Sequence, residues 1–215
     1  MTRTPTASGT VGNPFSTRHV RPGRIAPLDG AGRPLDVGEL LAALATYGGS
    51  GALVGPHGSG KTTLLWALAG ALEAAGGRVE RARVRGPRDI LPLAGSTLRC
   101  AGGGTLCVDS WERLGRVPPW LLRGVAWLCG ARLLVTAHGP GPLPTLWRCV
   151  TSPALLMALV VQLSRAGDVE DFVGACDLDD VFRRAGGDVR EALFLLYDRF
   201  EERARSAGAR ASAAG

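Results

Sequence analysis

The chain has 215 residues, 46% of them hydrophobic and 20% charged, and a formal net charge of +6. That length suits one ordinary domain with a small appendage, and that apolar fraction is enough for a buried core, which excludes a disordered chain. The longest clean apolar stretch, Ala154 to Val161, is too short to span a bilayer, and the five cysteines (Cys100, Cys107, Cys129, Cys149, Cys176) show no CxxC spacing.

Together with an N-terminus that lacks the apolar segment of a secretory leader, these features predict a soluble, cytoplasmic protein with no disulfide framework and no membrane partner. Residues 1–35, rich in Pro, Gly, Ser, Thr and Arg, predict an extended N-terminal arm. Asp36 to Tyr47 predicts a helix capped by Asp36. Gly51-Ala52-Leu53-Val54 has the pattern of a short buried strand, and Leu64, Leu68 and Leu72 then recur at helical spacing until Gly76-Gly77. Between strand and helix stands Gly55-Pro56-His57-Gly58-Ser59-Gly60-Lys61-Thr62-Thr63, which is the GxxxxGK[ST] P-loop pattern in the context it requires. In such a loop the backbone N–H groups and the helix N-terminus cradle phosphates, the lysine reaches the β- and γ-phosphates, and Thr62 holds Mg²⁺. Of the 25 basic residues 24 are arginine, and Lys61 is the single lysine. A codon bias explains the arginines. A lysine that survives it marks a place where a compact ammonium is needed and a planar guanidinium does not fit.

Arg78 to Arg85 alternates, with Ala82 and Val84 on one face and Arg81, Arg83 and Arg85 on the other, as an edge strand with a wet face does. Thr105-Leu106-Cys107-Val108-Asp109 predicts a buried strand ending in an acid, Pro118-Pro119 opens a helix through Trp120, Val125 and Leu128, and Arg132 to His138 is another buried strand. Strands alternating with helices over 36–151 argue for an α/β core, a parallel sheet with helices on both faces. From Ser152 the pattern is wholly helical, in three helices starting at Pro153, near Leu178 and at Asp188, so 152–206 predicts a small all-helical subdomain and 207–215 a disordered tail. The five tryptophans, Trp66, Trp111, Trp120, Trp127 and Trp147, are expected to pack in the core.

Asp109 ends its strand about fifty residues after the P-loop, where P-loop NTPases hold Mg²⁺ through a second-strand aspartate. Thr136 and His138 end the next strand, where a polar side chain is placed to touch the γ-phosphate or the attacking water. With GPHGSGKTT, TLCVDSWE, LLVTAH and Gly187-Asp188-Val189-Arg190-Glu191-Ala192-Leu193, the chain resembles the AAA+ and related P-loop ATPases over roughly Asn13 to Arg205. The resemblance implies a P-loop NTPase sheet followed by a helical lid. It also implies Walker A residues Gly55, Pro56, His57, Gly58, Ser59, Gly60, Lys61, Thr62 and Thr63, Mg²⁺ at Thr62 and Asp109, and a sensor-2 arginine at Arg190 that reaches the γ-phosphate of ATP. Asn13-Pro14-Phe15 with Arg18 resembles the arm that lies against adenine in some of these ATPases. One departure is that Ser110 stands where the family carries its general-base glutamate. Glu112 and, on the second strand, Glu80 are the alternative bases, and a surface pairing of Glu112 with Arg113 or Arg116 is the competing assignment.

The function expected from this pattern is Mg²⁺-dependent ATP binding with slow hydrolysis driving a conformational switch, with a protein partner or self-association to couple it. A nucleotide or small-molecule kinase is the alternative, because Arg183, Arg184 and Arg190 suit either scheme. An ATP-regulated nucleic-acid module is a further one, with Arg78, Arg81, Arg83, Arg85 and Arg88 tracking phosphates. No aromatic interleaves with those arginines, so base stacking has no support.

Overall fold

The computed structural model describes residues 13–16, 25–115, 119–164 and 177–213. Five strands, β1 (Gly51–Val54), β2 (Val79–Arg83), β3 (Thr105–Asp109), β4 (Arg132–Ala137) and β5 (Thr145–Arg148), form one sheet in the order β2-β3-β4-β1-β5. Every pairing is parallel. The period-2 pattern explains how the sheet is covered. Ala52, Val54, Leu106, Val108 and Leu133 point to one face, against Leu93 of helix α3 (Ile90–Arg99) and Leu122 of helix α4 (Pro119–Leu128). Leu53, Cys107 and Leu134 point to the other, against α1 (Val37–Thr46) and α2 (Lys61–Ala74). A strand buried on both faces is mostly apolar, which is why β1 and the middle of β3, Leu106-Cys107-Val108, are apolar runs whereas the edge strand β2 exposes Arg81 and Arg83.

Helix α2 carries the chain from β1 past β4 and β3 to β2, and the next two crossovers bring it back. The loop after β1 therefore sits at the topological switch point, where connections diverge and leave a crevice at the carboxyl ends of the strands.

After β5 the chain forms α5 (Pro153–Ser164), α6 (Leu178–Arg184) and α7 (Val189–Ala213), which share a separate apolar cluster including Leu156, Val160, Val181 and Leu196. The caps expected here are present: Ser152 Oγ accepts from Leu155 N, and Asp188 Oδ1 accepts from Arg190 N and Glu191 N. No helix among the described residues is long and apolar enough to cross a membrane.

Several expectations need correction. Of the arm, residues 1–12 and 17–24 lie outside the described residues, and the described ones are not simply extended. Asn13 donates to Tyr197 O and Glu201 Oε1, Phe15 is buried among α5, α6 and α7, and residues 28–34 close a turn around Asp29, which accepts from Ala31 N and Arg33 N. Its few apolar residues find a core to enter, and composition alone hides that. The tail expected to be disordered from 207 instead continues α7 to Ala213. Alanine and arginine are strong helix formers, and a single glycine, Gly208, costs only about 1 kcal/mol in a helix already nucleated. Trp111 is buried as expected, but Trp120 and Trp127 are exposed. Helix α3 and strand β5 have no counterpart among the predicted elements. Pro92 and Gly95 mask the first, although proline is tolerated in a first helical turn, and β5 has only four residues behind a Gly-Pro run.

The arm correction predicts that Phe15→Ala lowers unfolding free energy by about 3–5 kcal/mol, the cost of an aromatic-sized cavity. Phe15 is 2% exposed and packs edge-on against Phe200 with ring centroids 6.4 Å apart. Urea denaturation followed by circular dichroism measures the change, and an unchanged midpoint would mean that the arm is not part of the fold.

Candidate functional site

The glycine-rich loop, residues 55–60, turns from β1 into the first turn of α2. Gly60 precedes the helix in the left-handed region (φ +79°), which only glycine enters at no steric cost. Gly58 also has positive φ, and a Cβ there would lie 1.9 Å from Asp188 Oδ1, so the loop touches the cap of α7 directly. No side chain caps the start of α2 and no acidic residue lies in its first turn, so the positive end of the helix faces the crevice.

Lys61 folds back into this loop. Its Nζ donates to Gly55 O at 2.8 Å and to Pro56 O, and Ser59 Oγ also donates to Pro56 O. The ammonium is buried, and that desolvation lowers its pKa, with Cys149, Glu112, Asp109 and Asp188 working against the shift.

Asp109, 2% exposed, ends β3 beside the loop. Its Oδ1 accepts from Thr62 Oγ1 and Thr136 Oγ1, each at 2.9 Å, so one oxygen joins α2, β3 and β4. Arg83 Nε lies 3.1 Å from Oδ2, a charge contact without hydrogen-bond alignment, and Oδ2 is left with no hydrogen bond. Thr136 Oγ1 also accepts from Ser110 N, and the side chain is buried. In this arrangement the Thr136 hydroxyl holds Asp109 and the turn after β3.

Ser110 adopts φ 62°, a left-handed conformation that costs a non-glycine residue about 1–2 kcal/mol. After that sharp turn Trp111 enters the core and Glu112 joins the wall of the cavity. Glu112 Oε1 lies 2.8 Å from His138 Nε2, and the His138 ring is 4.1 Å from that of His57 in the loop. The partner of Glu112 is thus His138, and of the two arginines weighed for it, Arg116 lies outside the described residues. Glu80, the other acid weighed, stands apart from this group. It pairs with Leu106 in the sheet, three residues and about 10 Å before the register pair Arg83–Asp109, and Arg99 holds it at 2.9 Å.

These residues line a cavity of about 460 Å³. Its lining carries Lys61, Arg83, Arg113 and Arg190 together with Asp109 and Glu112, and also the apolar Phe15, Leu28, Leu155 and Leu193. Arg190 is exposed on that wall, its guanidinium 5.7 Å from the Phe194 ring centroid, whereas Arg183 and Arg184 both pair with Asp180. Arg18, the remaining arm residue of interest, lies outside the described residues. Sequence reasoning passed over Arg83 and Arg113 as members of the site, and over the contact between His57 and His138. The alternation of β2 was the available signal for Arg83, since it puts that residue at the strand end nearest Asp109. No protein-family model matches this sequence, and no curated protein matches it.

The contact between loop and helix cap is testable by a double-mutant cycle. Gly58→Ala should destabilise the fold by more than the 1–2 kcal/mol of a left-handed alanine, and Asp188→Ala by about 1 kcal/mol for a lost cap. Combined, the two should cost less than their sum by about 1 kcal/mol or more, because the smaller side chain relieves the clash. Strict additivity in chemical denaturation would mean that the loop and α7 do not touch.

Proposed function

We propose that this chain is a P-loop protein that binds ATP with Mg²⁺, hydrolyses it slowly, and uses the cycle to move its C-terminal helices as a lid. The observation that carries this is the buried Lys61 ammonium, hydrogen-bonded to neutral carbonyls of its own glycine-rich loop beside the Thr62–Asp109 pair. A buried cation without a carboxylate hydrogen-bonded to it is an anion site, and the uncapped start of α2 faces the same space. The apolar residues of the lining suit a nucleobase, and its surplus of cations over carboxylates suits a polyphosphate.

Thr62 and Asp109 are the residues that fit Mg²⁺. Asp109 Oδ2 has no hydrogen bond, and among the described residues no group of three or more His, Cys, Asp or Glu is placed to hold a metal unaided. Magnesium takes one or two protein oxygens and completes its shell with water and phosphate, which matches so small a donor set. When bound, the ion offsets charge on the β- and γ-phosphate oxygens. Glu112, oriented by His138, accepts the proton of a water whose oxygen attacks the γ-phosphorus. The bond from that phosphorus to the β-bridging oxygen breaks, and ADP and phosphate leave. Because Ser110 occupies the usual base position, a glutamate two residues further on supports slow turnover. Arg190 reads the γ-phosphate from the lid, which the Asp188–Gly58 contact already joins to the loop.

Free thiols at Cys100, Cys107, Cys129 and Cys149, with burial pushing Cys107 up to about 12 and Cys149 to about 11, support a reducing, cytoplasmic setting. Arg81 is paired with Glu73 and Arg83 with Asp109, so the arginines of β2 lend little to a nucleic-acid reading.

Isothermal titration with ATP and Mg²⁺ tests the binding claim. Lys61→Ala should weaken ATP by about 100-fold or more, equivalent to about 2.7 kcal/mol, and an unaltered affinity would remove the proposal. Glu112→Gln should keep that affinity and lower phosphate release by about 10²-fold or more, measured without any acceptor; turnover that requires an acceptor would favour the kinase. Arg190→Ala tests the lid separately. It should weaken ATP while leaving ADP affinity unchanged; ATP and ADP affinities and turnover that all match wild type would make Arg190 a surface residue, and equal losses for both would remove its γ-phosphate role.

A further inference from the structure

Strand β2 carries two exposed arginines, and they are held differently. Arg81 Nη2 donates to Glu73 Oε2 at 2.8 Å, and its guanidinium lies 5.8 Å from the Trp66 ring centroid. Arg83 has only Asp109. Its Nε stands 3.1 Å from Oδ2 without hydrogen-bond alignment, and its guanidinium makes no hydrogen bond among the described residues. A guanidinium has five N–H donors in a fixed fork, so this contact rests on charge alone and leaves all five open.

The two partners differ in freedom. The Arg83 side chain is 61% exposed and that of Asp109 is 2%. The backbone under Arg83 is fixed, because the next residue, Val84, is buried and its N–H donates to Asp109 O. Arg83 lines the same cavity as the glycine-rich loop and Lys61, so its side chain can turn from the carboxylate toward the loop while staying in the site. Lys61 has no such freedom, since Gly55 O and Pro56 O hold its ammonium. On the carboxylate, Oδ1 is taken by the hydroxyls of Thr62 and Thr136, whereas Oδ2 has no hydrogen bond. The oxygen left for a divalent ion is therefore the one that Arg83 touches. Two cations on one oxygen repel each other, and only the exposed one can withdraw.

Resting on the ATP-binding reading above, we propose that Arg83 is exchanged between two anions and is a further catalytic residue. It neutralises the buried Asp109, gives up Oδ2 to Mg²⁺, and moves onto the γ-phosphate that arrives with the ion. There its fork donates to the phosphoryl oxygens and offsets the charge that gathers on them and on the bridging oxygen as the bond from phosphorus to that oxygen breaks. Arg83 neither gains nor loses a proton in this step. ADP lacks the γ-phosphate, so with ADP the displaced guanidinium has no second anion to meet.

The test is the gain in nucleotide affinity that a metal confers, the ratio of Kd in EDTA to Kd with Mn²⁺, measured by isothermal titration on the full chain. The probes are ADP and the non-hydrolysable imido analogue of ATP, and the variant is Arg83→Gln. A thermal melt checks its fold, and Arg83→Thr, a better strand former, serves if the fold is lost. With ADP the gain should rise about tenfold in Arg83→Gln, because the competing cation is gone. With the imido analogue the gain should stay at the wild-type value, since there the wild-type guanidinium recovers on the γ-phosphate what it gives up at Asp109. Phosphate release from ATP should fall about 10²-fold. An unchanged gain with ADP, an equal rise for both nucleotides (the mark of a static ion pair), or phosphate release at the wild-type rate overturns the exchange alone. A wild-type chain that binds neither nucleotide with Mn²⁺ overturns the ATP-binding reading and the exchange with it.

Discussion

One oxygen of a buried carboxylate, Asp109 Oδ1, holds the working end of this molecule together by accepting hydrogen bonds from Thr62 on α2 and Thr136 on β4. A carboxylate removed from water at such a place costs several kcal/mol unless it finds donors and positive charge. Meeting that demand constrains much else. The two hydroxyls come from the first turn of α2 and from β4, the strand paired with β3. Thr136 must sit at the end of β4, where its oxygen also receives Ser110 N and so fixes the turn that follows β3. Arg83, brought opposite Asp109 by the parallel register of β2 and β3, supplies the charge.

That turn is where local strain serves the site. Ser110 in a left-handed conformation sends Trp111 into the apolar cluster under α3 and α4 and leaves Glu112 at the cavity, 2.8 Å from His138. Burial of the tryptophan supplies about 2–3 kcal/mol, enough to offset the strain of one residue. In the proposed function the same turn puts a carboxylate within the cavity from an unusual position. A base carried on a 3-10 turn and held by an imidazole depends on two loops keeping their places, which fits a slow hydrolase better than a fast one.

Coupling between the loop and the C-terminal helices has a specific contact behind it. Asp188 caps α7 and rests on Gly58, while Phe15 and Leu28 from the N-terminal segment pack against the same helical cluster and line the cavity. A ligand that displaces Asp188 from Gly58, or draws Arg190 inward, shifts α7 only by as much as it binds one arrangement better than the other. In the proposed function, a negative cap beside the phosphates provides such a difference.

What the sequence by itself determined here is what depends on near neighbours. The glycine-rich loop between β1 and α2, the apolar runs of β1, β3 and β4, and the caps Asp36, Ser152 and Asp188 are all written within a few residues, because dihedral preference, period and capping act over one turn or one strand. Weak local signals failed for the same reason: Pro92 and Gly95 hid α3, and alanine-rich polarity hid the last turns of α7. Tertiary structure decided the rest. Only the register of β2 against β3 brings Arg83 to Asp109, and only the crossover pattern brings His57, Glu112 and His138, from three separate loops, to one place. Partners 26 to 81 residues apart leave no local trace, since a side-chain pair or a ring contact depends on distance in space and on nothing that either residue does to its own backbone.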